Sequence, residues 1–472
     1  MKTGKWFKHH NWFGIALSVF IMMFVLSGII LNHRAQFADF EISRKYLPSR
    51  YEYSKWNGGL MRGSLSVSSD SVLIYGANGV WLLDKSTGAI EDFNRGLPAV
   101  ADSLNVRRIV KNAAGRTVAA TTTGAYVLKN GKWTELLKAE DKISDVESRG
   151  DSVIILTRSH VYLDAGDGLF KKAELKEPSG GRGKVSLFRT VWCLHSGELF
   201  GLPGRIFIDL IGVTLLFLCL SGILVWIGRP RGIKRWNAVW HNRVGRYTIV
   251  VTLLIVITGW CLRPPIMVPL ALTKTNPVPW TALDSDNAWH DKLRAIRYDS
   301  VFNDWIISTS DGFYATDDLA ASPRLLTATP PVSVMGINAW EKDEDGKWLC
   351  GSFSGMYRWD RKNGVSMDYF SGEKVKEVQG PPFGKNAVAG YSSDIADKSV
   401  VVDYYEGTDV VEQPARLNCL PMSLWNVALE VHSGRMYMGA IATYVFIFFI
   451  GAAIFWCLLS GYKIGSKHKH KD

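Results

Sequence analysis

The chain has 472 residues, with 55 Lys and Arg against 44 Asp and Glu, and a formal net charge of +11. Its 47% hydrophobic content excludes a disordered polyelectrolyte. The excess charge is local: thirteen Lys and Arg and one Asp fall within residues 1–8, 229–246 and 463–472, so the remainder is nearly neutral and a nucleic-acid partner loses its support.

Residues 1–10 carry Lys2, Lys5 and Lys8, and residues 11–32 follow as an uncharged apolar run. About 20 such residues cross the hydrocarbon core as a helix. The run is too long for a signal peptide and lacks a small-x-small cleavage site, so it reads as an anchor. Residues 33–200 form a β-rich segment, and 203–228 form a second span. The basic stretch 229–246 leads into a third span at 247–266, which is short before Arg263-Pro264-Pro265 but extendable backwards through 240–246. A second β-rich segment covers 267–431, a fourth span covers 436–462, and a basic tail covers 463–472. Basic flanks stay on the cytoplasmic side. The expectation is a multi-pass protein of a bacterial inner membrane, with both termini in the cytoplasm and both β segments in the periplasm.

The halves of the chain repeat each other. His10-Asn11 and Gly14 lead to Ser27-Gly28, as His241-Asn242 and Gly245 lead to Thr258-Gly259; both His-to-hydroxyl intervals are seventeen residues. His195-Ser196-Gly197 leads to Ser221-Gly222, and His432-Ser433-Gly434 leads to Ser460-Gly461. A tandem repeat in one orientation predicts a four-helix bundle with an axis along the membrane normal. That axis sets His10 opposite His241 at one face and His195 opposite His432 at the other.

The two outer segments repeat a shorter phrase: "GVWLLDKSTG", "GAYVLKNGKW", "HVYLDAGDGLF", "GFYATDDL" and "GMYRWDRKNG". Runs of Val, Ile, Tyr and Trp split by Asn-Gly and Asp-Gly turns predict antiparallel sheets, in blade-like units of about 40–45 residues, three per segment. Two readings stay open: one propeller shared by both segments, or two separate β domains. Cys350 and Cys419 are candidates for a disulfide between outer residues.

Imidazoles at the ends of membrane helices are costly and functional by default. Two facing imidazoles suit the axial positions of a haem iron. With no CxxCH in the chain, the haem is b-type. The expected cofactors are two haem b, one held by His10 and His241 and one by His195 and His432. Gly14, Gly245, Gly197 and Gly434 are expected to leave room for the macrocycles. His33 has no mate in the repeat and is a further candidate, either as an outer ligand or for substrate. Arg205 is four residues before Asp209; the pair is either structural, or Arg205 meets a haem propionate.

The phrases "HSGELFGLPGRIFIDLIG", "LSGILVWIGRPR", "HNWFG" and "WHNRVG" resemble the PepSY-associated transmembrane-helix family. The resemblance covers the four spans and their flanks. It implies an inner-membrane, iron-regulated protein that reduces ferric siderophores through two b-type haems. The outer segments depart from that pattern, since they read as blade-like repeats and not as PepSY lobes.

The expected function is transmembrane electron transfer to a ferric siderophore or other ferric chelate. No dinucleotide fingerprint is present, so a separate cytoplasmic reductase or membrane quinol is the expected donor. The alternative is a haem-free membrane-anchored sensor or assembly factor whose β domain binds a protein. The spans lack the intramembrane carboxylates expected of a transport path.

Overall fold

The computed structural model describes residues 3–164, 168–181, 183–228, 231–333, 335–375, 386–396 and 398–468. The chain divides into two compact units. One comprises Met1–Phe40, Lys184–Ser285 and Ser423–Asp472; the other comprises Glu41–Gly183 and Asp286–Met422.

The helices of the first unit that matter to the site are α1 (Thr3–Asn32), α2 (Leu187–Ser196), α3 (Gly201–Ile227), α4 (Arg231–Cys261), α5 (Leu424–His432) and α6 (Ala440–His468). Four helical stretches are long and apolar enough to cross a membrane: Lys5–Asn32, Glu198–Ile227, Arg235–Cys261 and Ala442–Ile464. They form a ring, α1 against α3, α3 against α4, α4 against α6 and α6 against α1. Leu17, Ile454 and Cys457 pack at the centre with Ile21, Val256 and Ile450. The buried hydroxyls of Ser27, Ser221, Thr258 and Ser460 donate to backbone carbonyls three or four residues earlier. That satisfies a polar group where no water reaches.

Two expected boundaries are corrected. The described part of the basic stretch 229–246 is helix and not loop, because α4 begins at Arg231; the expected loop residues 229–230, like the tail at 469–472, lie outside the described residues. Nothing between Ile233 and Tyr247 breaks a helix, and Arg and Trp lie at ease where a helix leaves the bilayer. The β segments also end early. Ser186 caps α2 by accepting from Arg189 N at 3.2 Å, and Ser423 caps α5 by accepting from Asn426 N at 3.2 Å. Each outer segment thus returns to the bundle through a short helix ending at a histidine, His195 or, in α5, His432.

The second unit holds five four-stranded antiparallel sheets at residues 63–92, 106–138, 143–173, 293–325 and 339–368, and a two-stranded sheet at 388–403. Each four-stranded sheet is a simple meander. The five repeated phrases all fall on the third strand: Gly79–Asp84, Gly124–Lys129, Val161–Asp164, Gly312–Thr316 and Gly355–Asp360. At Gly79, φ is +111° and a Cβ would collide with Asn94 Oδ1, which accepts from Val80 N at 2.7 Å. Only glycine fits that entry to the strand.

Apolar clusters join the sheets in sequence. Leu73, Tyr75, Ile109 and Trp133 join the first and second; Val118 and Ile155 the second and third; Leu156 and Ile307 the third and fourth. Phe313 and Trp340 join the fourth and fifth, Leu349 and Val388 the fifth and sixth, and Trp81 and Val402 the first and sixth. Trp56, Trp81, Trp133, Trp289, Trp340 and Trp359 are fully buried in these seams. Each buries about 150–250 Å², which makes the seams the main source of stability in this unit. Both outer segments therefore contribute to one compact unit and not to two. The expected disulfide is absent: Cys350 is buried and Cys419 exposed, both as free thiols.

Candidate functional site: two facing pairs of imidazoles

His10 on α1 and His241 on α4 face each other with ring centres 6.0 Å apart. His195, near the end of α2, and His432, at the end of α5, do the same at 6.2 Å. The repeat's two expected pairs are thus brought together. His9, beside His10, is exposed and stacks on Phe13. Along α1, the seventeen residues from His10 to Ser27, the contact of His432, set the two levels about 25 Å apart at 1.5 Å per residue.

Each imidazole hydrogen-bonds through Nδ1 to a Ser or Thr of a neighbouring helix. His10 Nδ1 lies 3.3 Å from Ser460 Oγ and 3.1 Å from the Cys457 carbonyl. His241 Nδ1 lies 3.0 Å from Ser221 Oγ, and His195 Nδ1 lies 3.1 Å from Thr258 Oγ1. His432 Nδ1 lies 3.1 Å from Ser27 Oγ and 2.9 Å from the Phe24 carbonyl. A carbonyl only accepts, and each hydroxyl already spends its proton on its own helix, so Nδ1 carries the hydrogen and donates. The tautomer that follows has its lone pair on Nε2, the nitrogen available to a metal. The four contacts exchange with one another when His10 is swapped for His241 and His195 for His432.

The four rings also lie on the glycines that follow these hydroxyls. A Cβ at Gly28 would sit 3.2 Å from His432 Cε1, at Gly222 3.3 Å from His241 Cε1, and at Gly259 and Gly461 2.8 Å from Cε1 of His195 and His10. The other glycines have different surroundings. Gly197 and Gly434 have φ of +78° and +77° and serve turns, Gly197 against the backbone of Gly204. A Cβ at Gly14 or Gly245 would make only ordinary contacts, with Cys457 Sγ and Leu218 Cδ2. The Ser/Thr-Gly signal was visible four times in the sequence, but as an alignment mark and not as a partner for the histidines.

His33 and Asn32, and not Arg205, engage Asp209. His33 Nε2 lies 2.7 Å from Asp209 Oδ2, and Asn32 donates to Asp209 Oδ1 at 3.0 Å. The Arg205–Asp209 pair does not form, because residues at the end of α1 occupy the carboxylate first. Arg205 Nε is buried without a partner among the described residues, and its backbone N lies beside Gly197, two residues after His195. Asn237, one helical turn before His241, likewise has a buried Nδ2 without a partner. Sequence reasoning did not single it out.

These residues fit a haem better than a bare ion. Two imidazoles across one metal, each at a bond length of about 2 Å, put their ring centres about 6 Å apart, as observed for both pairs. Among the described residues, no three His, Cys, Asp or Glu cluster to complete a metal's coordination. The remaining ligands would have to come with the metal, as a macrocycle supplies them. Arg205 and Asn237 offer unpartnered donors next to the two pairs.

Four apolar helices in a ring, each long enough to cross a membrane, define a multi-pass membrane protein. The chain belongs to the PepSY-associated TM region family, whose profile matches residues 1–229 and again 157–464. A stretch of 44 residues is 46% identical to an uncharacterized protein of Pseudomonas aeruginosa, covering 9% of this chain and 11% of that protein's length. A Bacteroides thetaiotaomicron structural genomics protein of unknown function is similar at a TM-score of 0.39 and 10% identity, over 73% of its length and 79% of this chain. An ancestral GH74 enzyme is similar at a TM-score of 0.33 and 7% identity, over 34% of its length and 73% of this chain. Likeness at this level carries no argument about function.

Proposed function

We propose that the chain carries electrons across a bacterial inner membrane through two b-type haems and delivers them to a ferric siderophore or other ferric chelate in the periplasm. The observation that carries this reading is the pair of facing imidazole pairs, each ring with Nδ1–H engaged and Nε2 left for a metal. When bound, the haems supply one-electron carriers. His10 and His241 would hold one, and His195 and His432 the other. Ser460, Ser221, Thr258 and Ser27 fix the tautomers, and Arg205 and Asn237 would meet propionates. The basic flanks of the spans put both termini in the cytoplasm. A separate reductase or membrane quinol is the donor.

The β unit is read here as one six-bladed propeller. In support, each sheet shares a core with the next and the sixth with the first. The first strand of every sheet also lines a common cavity.

A pyridine haemochrome assay with protein quantitation tests the haem reading. Two haems per chain are expected. A haem-replete preparation that stays colourless would sink this reading and leave a haem-free sensor or assembly factor; one haem per chain would mean that a single pair binds.

A further inference from the structure

The common cavity of the β unit has a volume of about 350 Å³, within the ~300–1,000 Å³ usual for small-molecule sites. Six Lys and Arg and four Asp and Glu line it. The carboxylates are largely accounted for. Arg108 pairs with Glu147 and Glu341, both at 3.2 Å, and Arg297 with Asp145 at 2.5 Å. Asp394 accepts from Ser64 at 2.6 Å.

Three lining cations have no anionic partner among the described residues: Lys111, which is exposed, and Arg62 and Arg107. Among the described residues Arg62 donates only to neutral acceptors, Asn105 Oδ1 and the Val106 carbonyl, each at 2.9 Å, and its buried Nε has no partner. Arg107 makes no hydrogen bond or ion pair among the described residues. The strand register shifts between Val106 and Arg108, so Arg107 is the bulged residue. A bulge re-aims a side chain out of the ladder, here into the cavity wall. Burial, followed by the nearby Arg62 and Arg158, pulls the Arg107 guanidinium down to about 9. An unpaired cation held there by the fold is costly unless a ligand completes it.

We propose that this cavity binds a small di- or tricarboxylate, of about the size of citrate, through the guanidinium groups of Arg62 and Arg107. A guanidinium fork matches a carboxylate with two parallel hydrogen bonds; Arg62 immediately precedes the first sheet and Arg107 lies in the first strand of the second. The surrounding Tyr75, Tyr391 and Trp340 add an apolar and hydrogen-bonding wall. The site does not rest on the haem reading, since every residue in it belongs to the β unit.

The test is calorimetric titration of citrate, and separately of ferric citrate, into the full-length detergent-solubilised protein. Saturable binding to one site is expected for wild type and for Lys362→Gln, whose side chain lies outside the cavity. Arg107→Gln should weaken binding at least tenfold, with the melting temperature unchanged or raised by removal of a charge without a partner. Tighter binding of ferric citrate would assign the site to the chelate; equal or tighter binding of free citrate would assign it to the carboxylate. No saturable binding to wild type, wild-type affinity in a folded Arg107→Gln, or equal binding of uncharged glycerol would each overturn the proposal.

Discussion

Ser27 and His432 are 405 residues apart in the chain and 3.1 Å apart in space. The Ser27 hydroxyl donates to the Met23 carbonyl at 2.8 Å, so its oxygen is left to receive the His432 Nδ1 proton. Ser27→Ala leaves Nδ1 with the Phe24 carbonyl alone. Losing such a partner typically weakens metal affinity about 10–100-fold. Haem release to apomyoglobin should therefore speed up about tenfold or more for one of the two haems, with little change in melting temperature. An unaltered release rate would show that the Phe24 carbonyl holds the ring unaided.

The glycines under the rings predict a sharper loss. At Gly259 and Gly461 an added Cβ would sit 2.8 Å from an imidazole carbon, closer than real contacts allow. Gly259→Val should remove low-spin haem from the pair holding His195, and Gly461→Val from the pair holding His10. Visible spectra of the single variants should each lose about half the signal, and the double variant nearly all of it. A full spectrum in both single variants would mean that the rings do not bind where they lie.

Histidine substitutions separate the two levels. His241→Ala should halve the six-coordinate haem and abolish reduction from the cytoplasmic donor, while dithionite still reduces the remaining centre. His432→Ala should let the inner centre fill from the donor and leave the outer acceptor oxidised. His33→Ala should keep both centres, because His33 Nε2 is engaged with Asp209. If His33→Ala loses a haem and His432→Ala does not, His33 is the partner of His195.

In the β unit, Asp299 predicts an acid limb. Burial works against its ionisation, but hydrogen bonds from Arg361, Trp348 and Val301 outweigh burial and hold the carboxyl below its ordinary range. A carboxyl depressed in the folded state stabilises above its unfolded value of about 4. That contribution fades as pH falls through the folded value. Asp299→Asn should lower the melting temperature at pH 7 and flatten its decline between pH 5 and pH 3. Parallel curves for variant and wild type would remove Asp299 from the acid limb.

The thiols of the β unit are equally distinguishable. Cys350 is fully buried beside Trp340, and burial pushes its thiol far up, whereas Cys419 is exposed. In the native protein a maleimide should label Cys419 within minutes and leave Cys350 untouched until denaturant is added. A non-reducing mass consistent with a Cys350–Cys419 bridge would contradict this.

The spans and the third strands were legible in the sequence because each is a local pattern. An uncharged run long enough to cross a membrane and a glycine opening an aromatic strand both announce themselves. The histidine pairs were legible through the repeat, which placed His10 with His241 and His195 with His432. Their hydroxyl partners were not: Ser27 touches His432 only because α1 and α5 pack together. The short helices ending in His195 and His432 were hidden at the edge of β-rich segments. Arg205 and Asp209 had the spacing of a pair, but spacing cannot show that His33 and Asn32 reach Asp209 first. Arg107 was invisible because a bulge is a property of two paired strands and not of one.

Every contact that fixes an imidazole joins one half of the chain to the other: His10 to Ser460, His432 to Ser27, His241 to Ser221 and His195 to Thr258. During synthesis the first half therefore leaves the ribosome with His10 and His195 and the hydroxyl partner of neither. Neither level is complete until α5 and α6 have been made, since His432 and Ser460 come last. If the pairs hold haem as proposed, loading would follow synthesis of the whole bundle, since a truncated chain lacks a hydroxyl or a histidine at each level. Two separately expressed halves should regain both pockets only by associating with each other.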